Sequence, residues 1–162
     1  MDPQALELSK TSARASVPYA GGLAVIFVIM GLVPCLGGCV NFLLSLAGFF
    51  AVAFVLTPKL SGFPAGQTKA MIALYIALGV AVTVTAAFVL ATLINGILFM
   101  ALGSFFDTSG NVFGSAVGGV FGLLLGVVGS LFYGLIVGTL LAWLSSYVAL
   151  ERAKSTEVAR PF

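Results

Sequence analysis

The sequence predicts an all-α integral membrane protein with four transmembrane helices, and three observations support this fold class. Of the 162 residues, 60% are hydrophobic and only 7% are charged, whereas a soluble domain carries about a quarter charged residues. Nine of the 12 charged residues lie within the first 14 or the last 12 positions. Between them lie three apolar stretches, over residues 17–56, 70–106 and 112–150, and a span needs about 20 apolar residues.

The first apolar stretch is long enough for two crossings and is interrupted near its middle. Pro34 is followed there by Gly37 and Gly38, and proline and glycine are the residues that most often end or bend a helix. We therefore expect a hairpin of two short helices, over residues 18–33 and 40–57.

The third and fourth helices are predicted over residues 70–102 and 112–150, joined by the turn-rich residues 107–111. At 1.5 Å per residue, both are longer than about 30 Å of hydrocarbon requires. We expect the third helix to break near residues 95–96. The apolar outer hairpin, residues 97–121, would then project from the bilayer and need a partner to cover it.

The distribution of charge predicts that both termini are cytoplasmic. With four crossings, all seven Lys and Arg residues fall on one side of the membrane, which is the side that the positive-inside rule assigns to the cytoplasm. The whole chain is then one transmembrane domain, in a prokaryotic inner membrane. Its tails, residues 1–16 and 151–162, are expected to form only a surface helix or a docking strand.

The missing residue types argue against several functions. The chain has no histidine, so the commonest transition-metal ligand and the usual general base are absent. The predicted spans contain no ionisable side chain of the kind on which proton relays and ion-coupled carriers depend. We therefore expect no enzymatic activity, cofactor or metal site. A net charge of +2 does not indicate a nucleic-acid partner.

Small residues recur at every fourth position of the predicted fourth helix. The series consists of Gly114, Gly118, Gly122, Gly126, Ser130, Gly134, Gly138 and Ala142. This spacing lets a neighbouring helix approach closely, which matters in lipid because packing drives association there. Each four-residue step turns about 400°, so the series drifts round the helix and one straight neighbour cannot follow it. The series indicates internal packing, assembly with other chains, or the wall of a pore.

Two cysteines lie in the predicted outer turn. Cys35 and Cys39 either remain unpaired as small packing residues, form a disulfide, or hold a metal or lipid. The segment from Leu36 to Cys39 resembles a bacterial lipoprotein cleavage box. Since the residues after Cys39 form another predicted span, no cleavage is expected there.

Asn95 is an amide deep in apolar sequence. It is predicted to cap or hydrogen-bond the expected helix break. Its alternative role is to bind the carbonyl group of a quinone or pigment, or a water that ligates one.

These features favour a non-catalytic integral subunit that packs against and stabilises a larger membrane complex, such as an energy-converting or photosynthetic assembly. Its expected partners are the lipid bilayer and other integral membrane subunits, contacted through the fourth helix and the outer hairpin. An oligomeric channel or small-solute permeation protein is the alternative. A membrane enzyme or pigment carrier is a third class, which would need ligands other than histidine.

Overall fold

A computed structural model describes the chain as four long helices. It covers the backbone of residues 3–31, 37–60, 63, 66–106 and 112–158. The helices are α1 (Pro3–Gly31), α2 (Gly37–Leu56), α3 (Lys69–Phe106) and α4 (Val112–Val158), with a short 3-10 helix at Thr57–Lys59 after α2. All four long helices are apolar and long enough to cross a membrane. The prediction of an all-helical chain with four such helices is confirmed.

Helix α3 occupies the centre of the bundle and packs mainly against α1 and α4. It runs parallel to α1, because Ser12 Oγ lies 3.4 Å from the Ile76 carbonyl oxygen and, further along both helices, Asn95 Nδ2 donates to the Phe27 carbonyl oxygen at 3.3 Å. Both contacts join a side chain of one helix to the backbone of the other, so the two helices approach closely.

Helix α4 runs antiparallel to α3. Near the start of α3, Trp143 Nε1 donates to the Ala70 carbonyl oxygen at 3.1 Å. Further along α3, Thr92 Oγ1 and Ser130 Oγ lie 3.3 Å apart. Because the α4 partner number falls as the α3 number rises, the two chains run in opposite directions.

Helix α2 packs against α4 and, over a smaller area, against α1. Ser45 Oγ lies 3.1 Å from the Tyr133 hydroxyl oxygen, and Ser145 Oγ donates to the Phe50 carbonyl oxygen at 2.6 Å. Because the residue numbers rise together along both helices, α2 is parallel to α4. The four helices therefore alternate in direction, as a chain that crosses a membrane four times must.

The described Lys and Arg side chains lie at one end of the bundle. Because the directions alternate, the first residues of α1 and α3 lie at the same end as the last residues of α2 and α4. Lys59 Nζ donates to the Tyr19 hydroxyl at 3.0 Å, and Lys69 pairs with Glu151 at 2.5 Å. This end, called the basic pole below, carries all the Lys and Arg residues whose side chains the structure describes: Lys10, Arg14, Lys59, Lys69 and Arg152.

The start of α1 corrects the prediction for the N-terminal region. The helix begins at Pro3 rather than at residue 18, and most of the predicted tail 1–16 is its first half. Ser12 and Ser16 are fully buried there. The charged residues Glu7, Lys10 and Arg14 led to the prediction of a solvent-exposed tail. In the helix their exposed side chains lie on the face opposite Ser12 and Ser16.

The prediction of a break near residues 95–96 is wrong, because α3 continues without interruption to Phe106. Both residues serve interhelical contacts instead. The Asn95 side chain bonds α1, and a Cβ atom at Gly96 would overlap the side chain of Leu123 on α4.

The predicted end of the fourth helix at residue 150 is also wrong. Helix α4 extends to Val158 rather than 150, so most of the predicted tail 151–162 is helical. The Lys69–Glu151 ion pair and the Arg152 guanidinium, 5.5 Å above the Phe54 ring, hold its start against α3 and α2. Helix α2 begins at Gly37 and ends at Leu56, close to the predicted 40–57.

The contact of α1 with α3 at Gly79 can be tested by adding one methyl group. A Cβ atom at Gly79 would overlap Ser12 Oγ and the Ser9 carbonyl oxygen and lie 2.9 Å from the Ala13 backbone nitrogen. Since backbone atoms cannot move aside cheaply, we expect Gly79→Ala to lower the free energy of unfolding by about 1–3 kcal/mol. Circular dichroism during unfolding in mixed detergent micelles measures it.

The matched control is Gly22→Ala on α1, where a Cβ atom meets nothing within 4 Å. This change should be neutral or stabilise by up to about 1 kcal/mol, because alanine favours a helix over glycine. Equal effects of the two changes would contradict the close approach at Gly79.

Candidate functional site

A cavity of about 190 Å³ lies where all four helices meet. Helix α1 contributes one lining residue, α2 and α4 two each, and α3 four. The lining residues are Phe27, Phe42, Ser45, Phe88, Ala91, Thr92, Asn95, Ser130 and Tyr133. Five of these nine side chains carry a hydrogen-bonding group and none carries a charge, so the site is polar but neutral.

One side of the cavity holds a chain of hydroxyl groups between α2 and α4. Ser45 Oγ donates to the Phe42 carbonyl oxygen at 2.6 Å. Because its single proton is used there, Ser45 accepts the hydrogen bond from the Tyr133 hydroxyl at 3.1 Å. Tyr133 is thereby held in one orientation, with a lone pair of its oxygen still available.

A second hydroxyl pair joins α3 and α4. Thr92 Oγ1 and Ser130 Oγ are 3.3 Å apart, so one donates to the other. Two hydroxyls sharing one hydrogen bond leave one proton uncommitted. Gly126, one turn from Ser130, makes room for the pair, since a Cβ atom there would lie 3.3 Å from Thr92 Cγ2.

Asn95 is the amide of the site. Its Nδ2 donates to the Phe27 carbonyl oxygen, while its Oδ1 is buried and has no hydrogen-bond partner among the residues that the structure describes. The amide also lies against Gly31, where a Cβ atom would overlap it. An unsatisfied buried acceptor of this kind costs free energy unless a ligand or water pairs with it.

The cavity walls are aromatic. The rings of Phe27 and Phe88 are 4.0 Å apart between centroids at an angle of 69°, and those of Phe42 and Tyr133 are 5.5 Å apart. Phe42 is 52% exposed, so the cavity is not sealed beside it. A flat ring placed between these walls would find aromatic faces and edges to contact.

The small-residue series of α4 changes neighbour along its length. A Cβ atom at Gly134 would overlap Thr85 of α3, whereas one at Gly138 would overlap Phe49 of α2. Ala142 is fully buried. The drift of a four-residue repeat round the helix explains the change of neighbour.

Further from the basic pole, the same series faces open space. In the part of the chain that the structure describes, a Cβ atom at Gly118 or Gly122 meets nothing within 4 Å, and the same holds for Gly129, which lies on the same side of the helix. Leu125, between them, is 72% exposed. Gly118, Gly122 and Gly129 are called the open glycine face below. Gly114 lies outside the residues whose surroundings the structure describes.

The cysteines and the outer hairpin are described only in part. Cys35 lies outside the described residues, and Cys39 is described only by its backbone, within α2. A disulfide between them stays a prediction. In the described part of the hairpin 97–121, Phe99 is 65% exposed and Phe121 is 64% exposed, and its covering partner stays a prediction too.

Sequence reasoning singled out Asn95 and Ser130 but missed Ser45, Thr92 and Tyr133. The available signal was the presence of hydroxyl side chains far inside apolar spans. The presence of these hydroxyl groups in the sequence does not predict which pairs of them lie close together in the fold. Comparison of the chain with protein-family models, with curated proteins and with solved structures finds no match.

The hydroxyl contact beside the cavity can be tested with Tyr133→Phe, which removes only the phenolic oxygen. We expect a loss of about 0.6 kcal/mol in the free energy of unfolding, the average for an interhelical hydrogen bond in a membrane protein. Tyr147→Phe is the matched control, because Tyr147 is exposed and its ring contact with Trp143 does not involve the hydroxyl. Unfolding in mixed micelles compares the two, and an equal loss would contradict the Ser45–Tyr133 bond.

Proposed function

We propose that this protein is a non-catalytic integral membrane subunit that packs against and stabilises a larger membrane complex, such as an energy-converting or photosynthetic assembly. The observation that carries the proposal is the open glycine face of α4, where a Cβ atom built at Gly118, Gly122 or Gly129 meets nothing within 4 Å among the described residues.

Glycine inside a helix needs a reason, because it lowers helix stability by roughly 0.5–1 kcal/mol relative to alanine. At Gly134 and Gly138 the reason is visible, since neither position has room for a methyl group. At the open glycine face no contact within the described part of the chain supplies one. A helix of another subunit, packed closely against this face, would supply it.

The position of α4 in the bundle supports the same proposal. In the apolar window of α4 only 6% of residues are buried, whereas in that of α3 the share is 56%. Helix α3 thus holds the bundle together, and α4 presents most of its surface outward. Lipid covers apolar side chains such as Leu125 adequately, but a row of glycines adds little to lipid contact and suits a close helix pair.

The orientation we propose places the basic pole in the cytoplasm of a prokaryotic cell, with both termini on that side. The alternating helix directions and the shared location of the basic side chains support it, because positively charged loops are retained on the cytoplasmic side.

The orientation can be tested by thiol labelling. In a chain whose Cys35 and Cys39 are changed to Ser, Phe63→Cys places one thiol at an exposed position between α2 and α3, at the basic pole. We expect a membrane-impermeant maleimide to label it only after the cells are opened. Ser109→Cys, in the predicted outer loop, is the control and should be labelled in intact cells. The reverse pattern would exclude cytoplasmic termini.

The assembly role can be tested with Gly122→Leu. Because a Cβ atom at Gly122 meets nothing within 4 Å among the described residues, the isolated protein should fold with equal or slightly higher stability. Copurification of its partner from the native membrane after gentle detergent extraction should fall at least about tenfold. Mass spectrometry of the copurified proteins identifies the partner and measures the change.

Gly22→Leu on α1 is the matched control, because that glycine also has open space around it and should leave the partner bound. Undiminished copurification with Gly122→Leu would count against the proposal. If the copurified subunits are further copies of this chain in a closed ring, conductance in liposomes tests the alternative of an oligomeric channel.

A further inference from the structure

We propose that the cavity between the four helices binds a neutral, hydroxylated aromatic ring, the chemistry of a phenol or of the ring of a quinol. The proposal does not depend on assembly with other subunits, because the cavity is built entirely from this chain. It rests on three properties of the lining: unused hydrogen-bonding groups, aromatic walls without charge, and volume.

Asn95 offers a donor and an acceptor side by side. One N–H of Nδ2 is bonded to the Phe27 carbonyl oxygen, and among the described residues neither the second N–H nor Oδ1 has a hydrogen-bond partner. An amide in this state complements a group that both donates and accepts. A hydroxyl does so with a single oxygen, whereas a carbonyl or ether oxygen only accepts.

The hydroxyl pair of Thr92 and Ser130 adds an uncommitted proton, and Tyr133 adds an acceptor lone pair, since the Tyr133 proton is donated to Ser45. A second oxygen on the ring, as in a quinol, would find partners here. Burial of these groups without a partner is unfavourable, so a ligand that satisfies them gains affinity over one that does not.

The walls select a flat, uncharged ligand. Phe27, Phe42, Phe88 and Tyr133 supply ring surfaces, and none of the nine described lining residues carries a charge that would compensate an ionised ligand. A cavity of about 150 Å³ can bind benzene, so the present cavity of about 190 Å³ admits one substituted ring. The exposed edge at Phe42 leaves a path for a substituent to reach the lipid.

Fluorine NMR of the purified protein in detergent tests this with three probes of matched shape. 4-Fluorophenol has a hydroxyl, 4-fluoroanisole an ether oxygen that only accepts, and fluorobenzene no oxygen. A probe bound in the cavity gives a resonance distinct from that of probe dissolved in the micelle. We expect 4-fluorophenol to bind at least about tenfold more tightly than fluorobenzene, with 4-fluoroanisole between them. Equal affinities, or no distinct resonance, would overturn the proposal.

Two variants test whether the probe binds in the cavity. Asn95→Leu should abolish the preference for 4-fluorophenol over fluorobenzene. Because this change also breaks the bond to α1, the double change Thr92→Val with Ser130→Ala provides a second test, since it removes both hydroxyls and nearly preserves their volume. It should weaken binding of 4-fluorophenol severalfold and leave that of fluorobenzene unchanged. An unchanged preference in both variants would place the binding elsewhere and refute the assignment.

Free phenols and membrane quinols both carry a neutral hydroxylated aromatic ring. Competition of each with bound 4-fluorophenol distinguishes the two classes of ligand. A hydroquinone that carries a decyl chain should displace bound 4-fluorophenol if the natural ligand is a quinol with a tail in the lipid. If it does not, while short alkylphenols do, the cavity takes free phenolic rings. Failure of both to displace the probe would show that the resonance does not come from a ring site and would contradict the proposal.

Discussion

The close approach of α3 to α1 on one side and to α4 on the other is the contact on which the fold depends. In lipid, apolar side chains gain little by leaving their solvent, so helices associate through packing and hydrogen bonds between backbones that come close. At Gly79 of α3, which faces α1, and at Gly134 of α4, which faces Thr85 of α3, there is no room for even a methyl group. In the same part of α3, Ile76, Val80 and Val84 are fully buried, and the other helices are arranged around them.

This central packing also explains where the cavity lies. Nearer the basic pole, α3 meets α1 at Gly79 and α4 at Gly134, where there is no room for a methyl group. Further along α3, the contacts pass to Phe27 and Phe88 and to the polar side chains of Asn95 and Ser130, which cannot interlock as tightly. The space left between them is lined by groups that must either pair with one another or with a ligand. Three of the four helices supply those groups, so the cavity is a property of the assembled bundle.

One repeat in α4 serves two different surfaces. Because a four-residue step overshoots a full turn by about 40°, small residues at this spacing wind slowly round the helix. Gly134 and Gly138 consequently face different neighbours inside the bundle, while Gly118 and Gly122 face outward. A single sequence pattern thus accounts both for internal packing and for an outer face suited to a second helix. The two roles differ only in position along the helix.

Composition and the placement of charge were enough to predict four helices and a shared basic end, because charged side chains are costly to bury in lipid and so lie outside the apolar spans. They misplaced the first helix, since the burial of Ser12 depends on its contact with Gly79, which is distant in sequence. They also predicted a break at Asn95, whose amide instead bonds another helix. These contacts and the cavity depend on the tertiary structure. Each is made by side chains from different helices, and no local sequence pattern specifies how those helices are rotated relative to one another.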